Sequence, residues 1–164
     1  MLKFIGSSVV FREIPDEISL AINITNCPHK CENCHSKILQ GDVGELLTYT
    51  ELSGLISENP GITCVLFMGG DFDLNEINNL AHYIKLNYKL KTGIYSGSAF
   101  KHVIPKLELK HFDYVKTGPY IEKLGPLNKE TTNQRLYKVQ HVLGLNRLVN
   151  ITKRFWNEHI KFNA

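Results

Sequence analysis

Residues 18–34 read ISLAINITNCPHKCENC, an alternating apolar run that leads directly into a cluster of cysteines. The first part, residues 18–25, has the alternation typical of a β-strand. Three of the four cysteines in the chain, Cys27, Cys31 and Cys34, then lie within one short loop. A strand that ends in such a loop predicts a ligand site at the carboxyl end of that strand.

The length and composition of the chain predict one soluble domain over residues 1–164. A formal net charge of +3 gives no indication of nucleic acid or of a membrane surface as a partner. No apolar run is long enough to span a bilayer, and the segment MLKFIGSSVVFRE lacks the pattern of a signal peptide. We therefore expect a cytoplasmic protein, in which neighbouring cysteines favour metal or redox chemistry over disulfides.

Further apolar runs predict strands over residues 62–68, 90–95 and 111–116, and another around residues 139–142. The run over residues 62–68 does not alternate, which is typical of a strand that is buried on both faces. Helix-like segments separate the first four strands, and this order favours right-handed parallel βαβ units. Because the strands are too few to close an eight-stranded barrel, we expect an α/β fold with a partial, incomplete parallel β/α barrel.

The helices between these strands are indicated by their first residues. Thr48 and Asp73 each begin a capping box, and apolar residues follow at helical spacing. A third helical segment, residues 100–109, is interrupted by Pro105. A terminal helix is predicted over residues 151–160.

Four loops of unusual composition follow the four predicted strands: CPHKCENC (27–34), MGGD (68–71), YSGS (95–98) and KTGPY (116–120). In parallel α/β folds, ligands bind at the carboxyl ends of the strands. We therefore expect the four loops to converge on one site.

The spacing Cys27-x3-Cys31-x2-Cys34 restricts the metal that the cysteine loop can bind. Zinc knuckles usually supply four ligands from two separated pairs, and the two-residue gaps of bacterial ferredoxins come with a fourth cysteine for each cluster. Three thiolates on a [4Fe-4S] cluster would leave one iron open to an external ligand.

Two alternatives remain open for this loop. His29 or His35 is adjacent to the thiolates and can complete a tetrahedral zinc site, although each is also explained as an exposed loop residue. Cys64 is a distant candidate for a fourth ligand. It lies within a strand that is predicted to be buried, so core packing is the better explanation for Cys64.

The cysteine spacing resembles that of the radical S-adenosylmethionine enzymes. The resemblance implies that Cys27, Cys31 and Cys34 bind one [4Fe-4S] cluster. It also implies a second cofactor, S-adenosylmethionine, whose amino and carboxylate groups chelate the open iron. The partial barrel would then be the one typical of this family.

The residues Gly69, Gly70 and Asp71 resemble the Gly-Gly-Glu motif of the same family. In that motif the backbone contacts the methionine amino group of the cofactor, and glycine lets the main chain approach a ligand closely. Asp71 replaces the commoner glutamate, so the role of its side chain is left open. Without the resemblance, two consecutive glycines indicate a turn.

Two further contacts with the cofactor are implied by the resemblance. The position before the third cysteine is often aromatic in the family but is Asn33 here, so cofactor contacts are expected from backbone groups of Asn33, Cys34 and His35. Ser96, in the loop after the third strand, is expected to meet the ribose; the alternative for this loop is an ordinary turn.

The stretch VKTGPYIEKLGPLNKETTNQRLYKV (115–139) resembles the corresponding segment of the activating enzyme of anaerobic (class III) ribonucleoside-triphosphate reductase. The most informative parts are Gly118-Pro119-Tyr120 and Asn133-Gln134-Arg135, and the resemblance covers residues 18–139. The resemblance alone makes Asn133-Gln134-Arg135 a candidate site for cofactor or partner, with no chemistry assigned to it; otherwise it is a polar loop with a solvated charge.

The resemblance implies a glycyl-radical-generating activase. One electron, supplied by a low-potential electron donor, passes from the cluster to the sulfonium of S-adenosylmethionine. The carbon–sulfur bond then breaks to give methionine and a 5′-deoxyadenosyl radical. That radical removes a hydrogen atom from a glycine of the reductase, so catalysis depends on the cofactors and no catalytic side chain is assigned.

Other functions remain as alternatives. A radical enzyme can act on a different glycyl-radical enzyme or on a small molecule. Outside that class, the same loop would suit a non-catalytic zinc-binding module, or an electron-transfer iron–sulfur protein whose cluster does not respond to S-adenosylmethionine.

Overall fold

The computed structural model describes residues 1–156, whose eight strands form one mixed sheet. The strands are β1 (Lys3–Val10), β2 (Ser19–Ile24), β3 (Glu45–Leu46), β4 (Cys64–Met68), β5 (Lys91–Tyr95), β6 (Tyr114–Thr117), β7 (Arg135–Val142) and β8 (Leu145–Asn150). Their order in the sheet is β3-β1-β2-β4-β5-β6-β7-β8.

The centre of the sheet is parallel. Strands β2, β4, β5 and β6 are neighbours and run in the same direction, with Ala21 opposite Leu66 and Leu66 opposite Gly93. The four strands predicted from the first part of the sequence are therefore confirmed, as is their parallel βαβ order. Antiparallel strands flank them, β1 and β3 on one side and β7 and β8 on the other.

Three helices lie between the parallel strands: α1 (Tyr49–Glu58), α2 (Leu74–Asn87) and α3 (Phe100–Val103). The Thr48 side chain accepts a hydrogen bond from the backbone N–H of Glu51, and Asp73 does the same for Glu76, so both predicted caps are confirmed. The third helical segment is short, because α3 ends at Val103 and a 3-10 turn that contains Pro105 follows.

The sheet packs on both of its faces. In β4, Val65 and Phe67 belong to the larger apolar cluster with α2, whereas Cys64 and Leu66 belong to a second cluster on the other face. All four side chains are fully buried. This confirms that the strand is buried on both sides, and it confirms core packing for Cys64.

The C-terminal part differs from the sequence-based expectation. The predicted strand over residues 139–142 exists, but β7 begins at Arg135 and forms a hairpin with β8, which was not predicted. The predicted helix over residues 151–160 is wrong in its first part, where residues 152–155 form a 3-10 turn. Its last part, residues 157–160, lies outside the described residues.

No helix within residues 1–156 combines the length and the apolar composition that are needed to cross a bilayer.

Candidate metal centre

The loops that follow the four parallel strands lie at one edge of the sheet. Backbone hydrogen bonds join them directly: Gly69 N–H donates to the carbonyl of Tyr95 at 3.0 Å, and Gly118 N–H donates to the carbonyl of Ser98 at 2.7 Å. The cysteine loop follows β2 at the same edge. The convergence predicted from the sequence is therefore confirmed.

The cysteine loop is held at its base by the segment that follows it. The backbone N–H of Asn26 donates to the carbonyl of Gly41, and that of Cys27 donates to the carbonyl of Leu39, each at 2.9 Å. Lys30 and Asn33 both have positive φ, 44° and 53°, which folds the loop back on itself. The local backbone therefore brings three cysteines into a compact turn.

The thiols of Cys27, Cys31 and Cys34 are half-buried and form no disulfide. Burial raises the pKa of the Cys27 thiol, and the negative charges of Asp71 and the other two cysteines add to this effect, although a backbone hydrogen bond from His29 opposes it. A bound metal ion would replace the proton, because metal-bound thiols are deprotonated.

The donor set fits an iron–sulfur cluster by its chemistry. Thiolate sulfur is the usual protein ligand of such clusters, and each thiolate binds a different iron. Within residues 1–156, no three Cys, His, Asp or Glu side chains are placed to share a single metal ion.

The glycine pair after β4 has a conformation that favours glycine. Gly69 and Gly70 have φ values of +104° and +99°. A Cβ atom on Gly70 would lie 2.5 Å from Cδ1 of Ile77 in α2. The absence of a side chain at Gly70 is therefore explained by the turn and by packing against α2, and the expected contact of its backbone with the cofactor stays a prediction.

The Asp71 side chain connects three of the loops. It is 2% exposed, and its carboxylate accepts hydrogen bonds from the backbone N–H of Gly97 at 2.9 Å and from the Ser96 hydroxyl. It also lies 3.3 Å from Nε2 of His29 in the cysteine loop. Asp71 therefore has a structural role at this edge that the sequence did not indicate.

The Ser96 hydroxyl, which was expected to meet the ribose, is engaged within the protein. It donates to Asp71 and accepts from the backbone N–H of Ser98 at 2.9 Å. Contact with a ribose stays a prediction for this residue.

The cysteine loop also contacts the segment that resembles the activating enzymes. The Asn33 side chain donates to Oε2 of Glu122 at 2.7 Å, and the ring centroids of His35 and Tyr120 lie 5.4 Å apart. These side chains join the loop to the 118–122 segment. The backbone contacts expected for Asn33, Cys34 and His35 with a cofactor are not tested by this arrangement.

The three residues Asn133, Gln134 and Arg135 support the loop after β6. Nδ2 of Asn133 donates to the Pro119 carbonyl at 3.0 Å, and Nε2 of Gln134 donates to the Gly118 carbonyl at 3.4 Å. The Arg135 guanidinium donates to nearby backbone carbonyls, so it is not a freely solvated charge. Oδ1 of Asn133 is buried and has no hydrogen-bond partner within residues 1–156.

Lys116, at the end of β6, is a residue of this edge that the sequence analysis missed. Its side chain is buried, and Nζ donates to the carbonyls of Gly118 at 2.8 Å and Ser96 at 3.3 Å. Burial lowers its pKa to about 8, while the negative charges of Asp71, Cys31 and Cys27 act in the opposite direction. A lysine within a fully buried strand was the signal that could have identified it.

Cys64 lies at the opposite edge of the sheet, at the first residue of β4, and is fully buried. Because β4 runs parallel to β2, this position is at the far end from the cysteine loop. The alternative in which Cys64 is a fourth ligand of the same metal is therefore wrong.

A family model described as "4Fe-4S single cluster domain" matches residues 18–140. The match runs from the residue before β2 into β7 and includes all three loop cysteines. The chain therefore belongs to the 4Fe-4S single cluster domain family, and its cofactor is an iron–sulfur cluster. Comparison with curated proteins and with solved structures finds no match.

Proposed function

We propose that this protein is a radical S-adenosylmethionine activase that generates a glycyl radical on anaerobic ribonucleoside-triphosphate reductase. One observation carries the proposal. Three unpaired cysteines with x3 and x2 spacing lie at the carboxyl edge of a parallel sheet, at the same edge as a glycine pair with positive φ. A cluster held by only three thiolates retains one iron for an exchangeable ligand.

The residues of the chain divide this task among the loops. Cys27, Cys31 and Cys34 hold the cluster, which when bound supplies the electron for reductive cleavage of S-adenosylmethionine. The backbone at Gly69 and Gly70 binds the methionine amino group, since a chain without side chains can approach a ligand closely. Backbone groups of residues 33–35, Asp71 and Ser96 are the remaining candidates for cofactor contacts.

Two further groups at this edge fit the same task. The buried ammonium of Lys116 offsets part of the negative charge that three thiolates bring to the site. Oδ1 of Asn133 has no hydrogen-bond partner in the part of the chain that the structure describes. It is an acceptor for an N–H donor of the cofactor or of the partner protein, because a buried acceptor without a partner is unfavourable.

The partners are the reductase and a low-potential electron donor. We infer that the parallel strands form a partial barrel, whose open side would admit a protein loop that carries the target glycine. The central parallel strands support this proposal, and the flanking antiparallel strands extend the sheet on both sides.

Anaerobic reconstitution tests the proposed chemistry. Iron, sulfide and a thiol reductant are added to the purified protein, and the reduced cluster is examined by electron paramagnetic resonance with and without S-adenosylmethionine. We expect the spectrum to change when S-adenosylmethionine binds, and 5′-deoxyadenosine and methionine to form. A cluster whose spectrum does not change on addition of S-adenosylmethionine would favour the electron-transfer alternative. A protein that binds zinc but assembles no cluster would favour the zinc module.

A further inference from the structure

The side chain of His29 attaches the cysteine loop to the loops that follow β4 and β5. His29 lies between Cys27 and Cys31 in the sequence, and its Nε2 is 3.3 Å from Oδ2 of Asp71 and 3.3 Å from the hydroxyl of Ser98. Its ring is 23% exposed, so most of this side chain is covered by the protein. His29 is therefore an anchor of the loop.

The surface on which the His29 ring lies is made by Gly97. A Cβ atom on Gly97 would be 2.4 Å from Cδ2 of His29 and 3.0 Å from Cγ. Gly97 is not among the residues with positive φ, so its backbone conformation does not itself require glycine. A side chain at this position would displace the histidine ring from the space that it occupies.

The carboxylate that faces His29 is held by groups other than His29. Asp71 accepts hydrogen bonds from the Gly97 backbone and the Ser96 hydroxyl, and Ser96 is itself held by the backbone of Ser98. The loops after β4 and β5 thus form a preorganised seat for His29, made of Asp71, Gly97 and Ser98. We refer to these three residues as the His29 seat.

We propose that His29 is a positioning residue, which holds the cysteine loop on the His29 seat so that Cys27 and Cys31 are placed for the cluster. The inference rests on the proposed function only in that these cysteines bind the cluster. It assigns the Asp71 side chain to the orientation of the ligand loop. The contacts of the seat are between protein groups, so they can be tested in the iron-free protein.

We expect the loss of His29 to weaken the retention of iron. Groups that orient metal ligands without touching the metal contribute strongly to affinity, and their loss typically weakens metal binding by about 10- to 100-fold. Removal of His29 would leave all three thiols in the chain but would detach the part of the loop between Cys27 and Cys31 from the loops after β4 and β5. Iron would then be lost faster to a chelator.

The test uses three variants of the full chain: His29→Ala, Gly97→Ala and the double substitution. In the iron-free proteins, trypsin cleavage after Lys30 reports on the loop, and cleavage after Lys129, an exposed lysine elsewhere, is the internal reference. In the reconstituted proteins, the rate of iron loss to a chelator is measured. Thermal unfolding of each iron-free protein shows that it is folded.

We expect each single substitution to speed both cleavage after Lys30 and iron loss by about 10-fold, with cleavage after Lys129 unchanged. The double variant should be no worse than either single variant, because both changes break the same contact. His29→Gln, which retains an N–H near the position of Nε2, should recover part of the protection.

Additive effects in the double variant, or unchanged cleavage after Lys30 in His29→Ala, would overturn the proposal. Additivity would mean that Gly97 acts on a bound cofactor or on the fold and not through His29. The cleavage assay needs no cluster, so it separates this inference from the proposed function. A wild-type protein that assembles no cluster would refute the proposed function, while the cleavage result would still decide the role of His29.

Discussion

Nζ of Lys116 donates a hydrogen bond to the carbonyl of Gly118 at 2.8 Å, which fixes a buried ammonium group at the edge of the sheet that carries the cysteine loop. The charges of Cys27 and Cys31 act on this group. A positive charge near a cluster stabilises its reduced and more negative form. Lys116 therefore connects the fold to the redox chemistry.

Replacement of Lys116 with methionine should lower the reduction potential of the cluster, because a nearby positive charge is lost while the chain length of the side chain is kept. The measurement is a redox titration followed by electron paramagnetic resonance. Lys110→Met is the matched control, since Lys110 is exposed and precedes β6 at the opposite edge. An unchanged potential in Lys116→Met would show that the charge does not act on the cluster.

Each of the three loop cysteines should be required for the cluster. Cys27→Ala, Cys31→Ala and Cys34→Ala each remove a thiolate that the methyl group of alanine cannot replace. We expect loss of the cluster and of S-adenosylmethionine cleavage, measured by iron and sulfide content and by 5′-deoxyadenosine formation.

Cys64→Ala is the control for these variants. Cys64 is fully buried at the far end of β4, so its loss should reduce the free energy of unfolding by about 1–3 kcal/mol and leave the iron content unchanged. Full cleavage of S-adenosylmethionine by Cys34→Ala, or loss of the cluster in Cys64→Ala, would contradict the assignment of the ligands.

Gly70→Ala should destabilise the fold and not only the cofactor site. The positive φ of Gly70 disfavours alanine, and the new Cβ would be too close to Ile77. We expect a loss of about 1–3 kcal/mol in urea unfolding of the iron-free protein. In the Ile77→Ala background the additional effect of Gly70→Ala should be smaller, because the clash is removed. Equal effects in both backgrounds would mean that the contact with Ile77 is unimportant.

Substitution of Glu17 shows whether the edge of the sheet opposite the cysteine loop affects the cluster. Glu17 is buried and accepts hydrogen bonds from the hydroxyls of Tyr114 and Thr63, each at 2.7 Å, and from Lys91. Glu17→Gln should reduce the free energy of unfolding by about 1–3 kcal/mol, because the amide cannot accept all of these bonds. Cluster content and potential should be unchanged, and a loss of iron in this variant would show that the two edges are coupled.

The parts of the fold that the sequence predicted are those with strong local patterns. The parallel strands contain continuous apolar runs. The helix caps Thr48 and Asp73 are each followed by a glutamate three positions later, which is the pattern of a capping box. The three cysteines were found in the same way, since their spacing is local. The convergence of the loops followed from the direction of the strands alone.

The parts that were missed depend on distant residues. Strand β1 contains Gly6 and two serines, a weak strand pattern that is stabilised by pairing with β2. The contact of His29 with Asp71 joins residues of two different loops, and no short pattern marks it. Lys116 donates to two backbone carbonyls, whose positions cannot be predicted from a short sequence pattern.

The formation of a glycyl radical tests the central claim most directly. The reconstituted protein is mixed anaerobically with anaerobic ribonucleoside-triphosphate reductase, S-adenosylmethionine and a low-potential reductant, and electron paramagnetic resonance is recorded. We expect a glycyl radical doublet on the reductase, which collapses when the reductase carries α-deuterated glycine and is absent with Cys34→Ala. A protein with an intact cluster that cleaves S-adenosylmethionine but never gives this doublet would contradict the assignment of the reductase as its partner.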